Sequence, residues 1–142
     1  MAAPLDPHAT QSDLERALCL ELRRQELPHA HRSLHFRVRL ERGEAHYDPS
    51  LVVPRGEILF LIEPLAVSGA SEAVPEILTR FLDQHSEEIV LIVVAPRAAA
   101  GSLPPDSYDE VYLEDEIHRV VRRIRDQDPH GMVEPFRKTR PS

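Results

Sequence analysis

Tryptophan is absent from this chain, lysine occurs once, at Lys138, and cysteine once, at Cys19. Each shortage closes off a class of protein. A lone cysteine forms no internal disulfide, so the chain fits a reducing compartment. A formal net charge of −7 argues against a surface that grips nucleic acid over its whole extent, because phosphate binding needs a dense field of cations. Aromatic residues amount to 5%, which leaves the core to Leu, Ile and Val. The five glycines are scattered, and they form neither a phosphate-cradling loop nor a Gly-x-Ser-x-Gly elbow. No helix-turn-helix with a basic recognition helix is seen. The longest apolar runs, Ile58–Ile62 and Ile89–Ala95, are too short to span a bilayer. The opening MAAPLDPHAT lacks the basic start and long apolar stretch of a signal peptide. A cytoplasmic protein with no membrane contact is expected.

What is present suits one globular domain. The chain has 142 residues, 42% of them hydrophobic and 29% charged, enough for one core and too few for two. Residues 1–11 read as a flexible arm, 12–126 as the domain and 127–142 as a tail. Ser12-Asp13-Leu14-Glu15 is a capping box, and Leu14, Leu18 and Leu22 follow at helical spacing, with a stop before Pro28. Leu34, Phe36, Val38 and Leu40 alternate with polar residues as in a half-buried strand. Glu41–Glu44 is a hairpin turn into a second strand, from about Ala45 to Val53, and Pro54–Glu57 is a further turn. Ile58–Ile62 is apolar at every position, the pattern of a strand covered on both faces. Val74, Ile77, Leu78, Phe81 and Leu82 give an amphipathic helix, and Ile89–Val94 a second buried strand. Residues 96–107 read as a loop, Glu110–Leu113 as a short strand, and Ile117, Val120, Val121 and Ile124 as the stripe of a last helix. The fold class expected is α/β, a mixed sheet with helices on both faces.

The order α-β-β-β-α-β over residues 12–95 resembles the core of the PD-(D/E)XK nuclease superfamily, the restriction-endonuclease-like fold, with the last strand and helix as additions. The family's motif places an Asp, often after a Pro, on the second strand. It places an acid, one spacer and a Lys at the end of the third. Those places fall here on Asp48-Pro49-Ser50 and on Glu63-Pro64-Leu65. In such a site two carboxylates hold Mg²⁺, the ion activates a water, and the Lys offsets developing charge. In this chain Ser50 stands where the Asp follows the Pro, Asp48 is the nearby carboxylate, Glu63 matches the acid, and Leu65 replaces the Lys. Arg80, on the following helix, is the best substitute cation and Arg55 a weaker one, although an arginine is a poor proton acceptor. Glu21-Leu22-Arg23-Arg24-Gln25 is also similar to the helix of small proteins of the GxxExxY type, whose motif itself is missing. Glu15 or Glu21 would stand in for a helical Glu, against the plainer expectation that both face solvent.

The resemblance implies a catalytically impaired nuclease-like domain, with no cofactor, acting through a protein partner, a second copy of the chain or nucleic acid. Arg119, Arg122, Arg123 and Arg125, followed by Arg137, Lys138 and Arg140, form the candidate contact surface. One alternative is a divergent Mg²⁺-dependent nuclease in which Asp48 and Glu63 hold the metal and Arg80 replaces the Lys. Another is a generic α/β subunit of a larger assembly. Three further expectations concern metals and thiols. His29-Ala30-His31 with His35 is disfavoured as a zinc site, because Pro28 precedes it and no His-x₃-His pair sits on a helix. Cys19 reads as a small buried hydrophobe without an obvious His partner. His46 would project with Asp48 and Ser50 if the strand pleat is regular.

Overall fold

The computed structural model describes residues 10–65, 73–85 and 88–127. Most of the expected arm and tail, including Arg137, Lys138 and Arg140, lies outside these residues. The chain runs α1 (Asp13–Arg24), β1 (Ala30–His31), β2 (Phe36–Leu40), β3 (Gly43–Tyr47), β4 (Leu51–Arg55), β5 (Ile58–Pro64), α2 (Ala73–Gln84), β6 (Ile89–Ala95), α3 (Arg97–Ala100), β7 (Glu110–Leu113) and α4 (Ile117–Arg125). A mixed sheet has the order β1-β4-β5-β6-β7. β4 is antiparallel to β1 and β5, while β6 is parallel to both β5 and β7. β2 and β3 form a separate antiparallel hairpin.

The alternation along the central strands sorts their side chains onto two faces. Leu51, Val53, Phe60, Ile62, Val90, Ile92 and Val94 meet Leu18 and Leu22 of α1 and Val120, Val121 and Ile124 of α4. Val52, Leu61, Leu91, Val93 and Ala95 meet Leu78 and Phe81 of α2, together with Val38 and Tyr47 of the hairpin. Both faces are therefore covered, as uninterrupted apolar strands require. Burying each large aliphatic side chain stabilises the fold by roughly 1.5–3 kcal/mol. Both hairpin turns use a left-handed glycine, Gly43 (φ 101°) in β2–β3 and Gly56 (φ 62°) in β4–β5. The side-chain amide of Gln84 exchanges two hydrogen bonds with the backbone of Arg39, 2.9 and 2.8 Å, and so fastens β2 to α2.

Two sequence expectations change, and one further strand appears. The second strand is not continuous from Ala45 to Val53: β3 ends at Tyr47, β4 starts at Leu51, and the two belong to different sheets. Pro49 has no N–H to give a ladder, and the chain crosses between sheets there. The segment 96–107 contains α3 and a 3-10 turn at Pro105–Ser107. The stretch after Pro28 is an edge strand, since Ala30 and His31 pair with Val52 and Leu51. Among the described residues, no helix is long and apolar enough to cross a membrane.

Candidate functional site

The apolar run of β5 carries Glu63 into the interior, where it is 7% exposed. Its carboxylate accepts three hydrogen bonds: from the Tyr47 hydroxyl at 2.6 Å, the Ser50 N–H at 3.0 Å and the Ser50 hydroxyl at 2.7 Å. Burial pushes its pKa above the ordinary carboxylate value. The Tyr47 and Ser50 donors oppose that rise, and the charge of Glu15 adds to it. Tyr47 is held in turn by the few aromatics the chain has. Phe36 and Phe81 each lie 4.9 Å from one another, centroid to centroid, and Phe81 is 4.9 Å from the Tyr47 ring.

The break between β3 and β4 decides which neighbours Glu63 meets. Because the pleat is interrupted, His46 and Asp48 are exposed while Ser50 turns inward. Asp48 pairs instead with His35 at 2.9 Å. Leu65, set against a lysine only by the resemblance, is buried in the core with α2. Arg80 is exposed. Arg55 donates to the Arg125 carbonyl at 2.8 Å, at the end of α4. Among the described residues, the hydrogen bonds to Glu63 come from Tyr47 and Ser50, and neither Asp48 nor Arg80 contributes one.

A second buried carboxylate lies on α1. The expectation that Glu15 faces solvent is wrong: the residue is 2% exposed. Its N–H donates to the Ser12 hydroxyl at 3.1 Å, as the capping box predicts. Its carboxylate accepts from the Gln11 N–H at 3.3 Å, not from that of Ser12. It also accepts two bonds from the Arg32 guanidinium, 3.0 and 2.8 Å, and one from His31 Nδ1 at 2.7 Å. Burial alone raises the Glu15 pKa, but the bonds from Arg32, His31 and Gln11 and the charge of Arg32 outweigh it, and the net shift is downward. Arg32 reaches this position from a left-handed backbone (φ 48°), with its N–H held by the carbonyls of Pro49 and Ser50 at 3.1 and 3.2 Å. The ion pair of α1 and the inward turn at Ser50 are therefore joined through one residue. Glu21 is mostly covered as well. Hydrogen bonds from Arg24, Gln25 and His118 take its pKa down to about 2.

One turn beyond Glu15, Cys19 also departs from expectation. Its Sγ lies 3.2 Å from His29 Nε2. Cys19, His29 and His31 each bring one ligand atom to within 4.8 Å of the others. The readable signal was the spacing His29-Ala30-His31, with Glu15 and Cys19 four residues apart on one helix face. What the sequence did not reveal is that the two faces meet.

The arginines of α4 divide. Arg123 is committed: it pairs with Glu110 at 2.9 Å, donates to Gln127 at 3.1 Å and lies 5.3 Å from the Phe60 ring centroid. Arg119, Arg122 and Arg125 are exposed. Arg119 bonds to Glu116 one turn back, and Arg125 lies 3.9 Å from Asp126.

No family model matches the chain, and no curated protein or solved structure matches it either.

Proposed function

We propose that this chain is a nuclease-like domain that does not cleave phosphodiesters and works by binding. One observation carries the reading. The side chains of Ser50 and Glu63, which the resemblance sets against the two metal-holding acids of the PD-(D/E)XK motif, are hydrogen-bonded to each other at 2.7 Å. The parallel pairing of β5 with β6 after the α2 crossover also fits that family's core. Where two carboxylates would share an ion, a hydroxyl donates to a single carboxylate, and a phenol and a backbone N–H take up its remaining acceptor capacity. A hard cation would have to displace these donors and would find one charged ligand, too few for a tight site. The buried Leu65 supplies no cation for a transition state.

Binding then falls to the surface. Arg119, Arg122 and Arg125 are exposed along α4, on a chain that is acidic overall. This local cationic stripe suits an anionic patch on a protein partner better than a long nucleic-acid track. The test is incubation of the purified chain with plasmid and single-stranded DNA in Mg²⁺ or Mn²⁺. No cleavage is expected. Cleavage that disappears in Glu63→Ala would overturn the reading, and would favour instead the divergent nuclease built on Asp48, Glu63 and Arg80.

A further inference from the structure

We infer that Cys19, His29 and His31 form a zinc-binding site that ties α1 to the edge strand β1. The three residues offer one ligand atom each, all within 4.8 Å of one another. A tetrahedral zinc ion at about 2.3 Å from sulfur and 2.0–2.1 Å from nitrogen spaces its ligand atoms roughly 3.3–3.6 Å apart, so a separation near 4.8 Å closes by about an ångström while the 3.2 Å contact of Cys19 with His29 opens slightly. The donors are the right chemical kind. A thiolate with two imidazoles is a borderline-soft set, which selects zinc over magnesium or calcium.

The surroundings prepare the two imidazoles for this role. His29 Nδ1 lies 3.1 Å from the Leu27 carbonyl and donates its proton there, which leaves the lone pair on Nε2, the atom facing Cys19. His31 Nδ1 lies 2.7 Å from the Glu15 carboxylate and donates to it, which likewise leaves the lone pair on Nε2. A carbonyl or carboxylate behind each ligating histidine fixes the tautomer and the ring orientation, the usual outer shell of a zinc site. The His31 side chain is 3% exposed and Cys19 is 3% exposed, so bulk water is largely excluded. The two rings sit edge to face at 5.3 Å, with His31 in β1 and His29 just before it.

Binding the ion is charge-balanced. The Cys19 thiol releases its proton to solvent as the S–Zn bond forms, and no electron changes hands. The ion and the thiolate together carry one positive charge, beside the ionised Glu15. None of this depends on how Glu63 behaves.

The experiment uses tag-free full-length protein, stripped with a chelator, dialysed and titrated with Zn²⁺ and separately with Co²⁺. One equivalent should bind. Co²⁺ should give a thiolate-to-cobalt charge-transfer band with tetrahedral d–d bands, and Zn²⁺ should raise the Tm. Cys19→Ser should abolish the charge-transfer band. His29→Gln and His31→Gln should each weaken binding at least tenfold. His118→Gln, which lies outside the cluster, should bind as wild type does. Circular dichroism shows which variants fold, and Glu15→Gln adds a variant that keeps all three ligands. It should retain the band with an affinity lower by roughly 10–100-fold. If folded wild type gives no thiolate band and no zinc-dependent Tm shift, the site does not exist. If the band survives Cys19→Ser, or if affinity ignores both histidines, the ligands are assigned wrongly.

Discussion

The Ser50 hydroxyl donates to the Glu63 carboxylate across 2.7 Å, although thirteen residues and a turn separate them in sequence. The contact depends on the chain leaving the β2–β3 hairpin at Pro49 and entering the main sheet at Leu51. It makes Ser50 the most informative position to change. Ser50→Ala removes one of three bonds and should destabilise the protein by about 1 kcal/mol. Ser50→Asp puts a second carboxylate against a buried one and should cost roughly 2–3 kcal/mol at neutral pH. Two acids then face each other as a divalent cation requires, so Mg²⁺ should recover part of that loss in the aspartate variant and none in wild type. Urea unfolding with and without Mg²⁺ measures both effects.

Glu63 should make stability fall as pH rises. Its folded pKa lies above the ordinary value of 4.5 because of burial, so the folded state holds the proton more tightly than the unfolded chain does. Its contribution is full below pH 4.5 and is lost as pH climbs through the folded pKa. Glu63→Gln lacks this titration. The stability of wild type relative to Glu63→Gln should therefore decline with rising pH, by up to about 1.4 kcal/mol per unit within the window. A difference that stays flat across that range would show that the carboxylate is not desolvated.

Glu15 should act in the opposite sense. Its bonds to Arg32, His31 and the Gln11 N–H more than offset burial and hold its pKa below 4.5. That stabilisation is present above pH 4.5 and is lost as pH falls through the folded value. Glu15→Ala should destabilise the protein by about 2–4 kcal/mol at neutral pH, since it takes the carboxylate away from a partly buried guanidinium and a buried imidazole. The difference between wild type and variant should shrink in acid. Chemical denaturation at a series of pH values checks it.

The arginines of α4 should separate by role. Arg123→Ala loses the Glu110 pair, the Gln127 bond and the contact with Phe60, and should cost about 1–2 kcal/mol. Arg122→Ala touches an exposed side chain and should change stability by less than about 0.5 kcal/mol. Replacing Arg119, Arg122 and Arg125 together should leave the Tm close to wild type and weaken capture of an acidic protein partner, with a salt dependence that the wild type shows and the triple variant lacks. Thermal melts and pull-down at two salt concentrations distinguish these outcomes.

The strands and helices were legible where the apolar period was unbroken. Ile58–Ile62 and Ile89–Val94 announced strands covered on both faces, and the stripes around Leu18, Phe81 and Val121 announced the helices that cover them. Proline misled in one place. The strand expected from Ala45 to Val53 runs through Pro49, where the ladder in fact stops and the chain enters another sheet. Asp48 was therefore expected beside Glu63, whereas its partner is His35.

By itself the sequence determined the α/β class, the apolar strands at Ile58–Ile62 and Ile89–Val94 and the helix stripes that cover them, because each is a local property of side-chain type and spacing. The tertiary structure alone decided that Ser50 and Tyr47 close around Glu63, that Glu15 is buried under Arg32 and His31, and that Cys19 meets His29. Those pairings join residues ten to seventeen positions apart, through the αL turn at Arg32 and the switch between sheets at Pro49. Periodicity fixes which way a side chain points from its own element. Which element it then meets depends on how the connecting turns are bent.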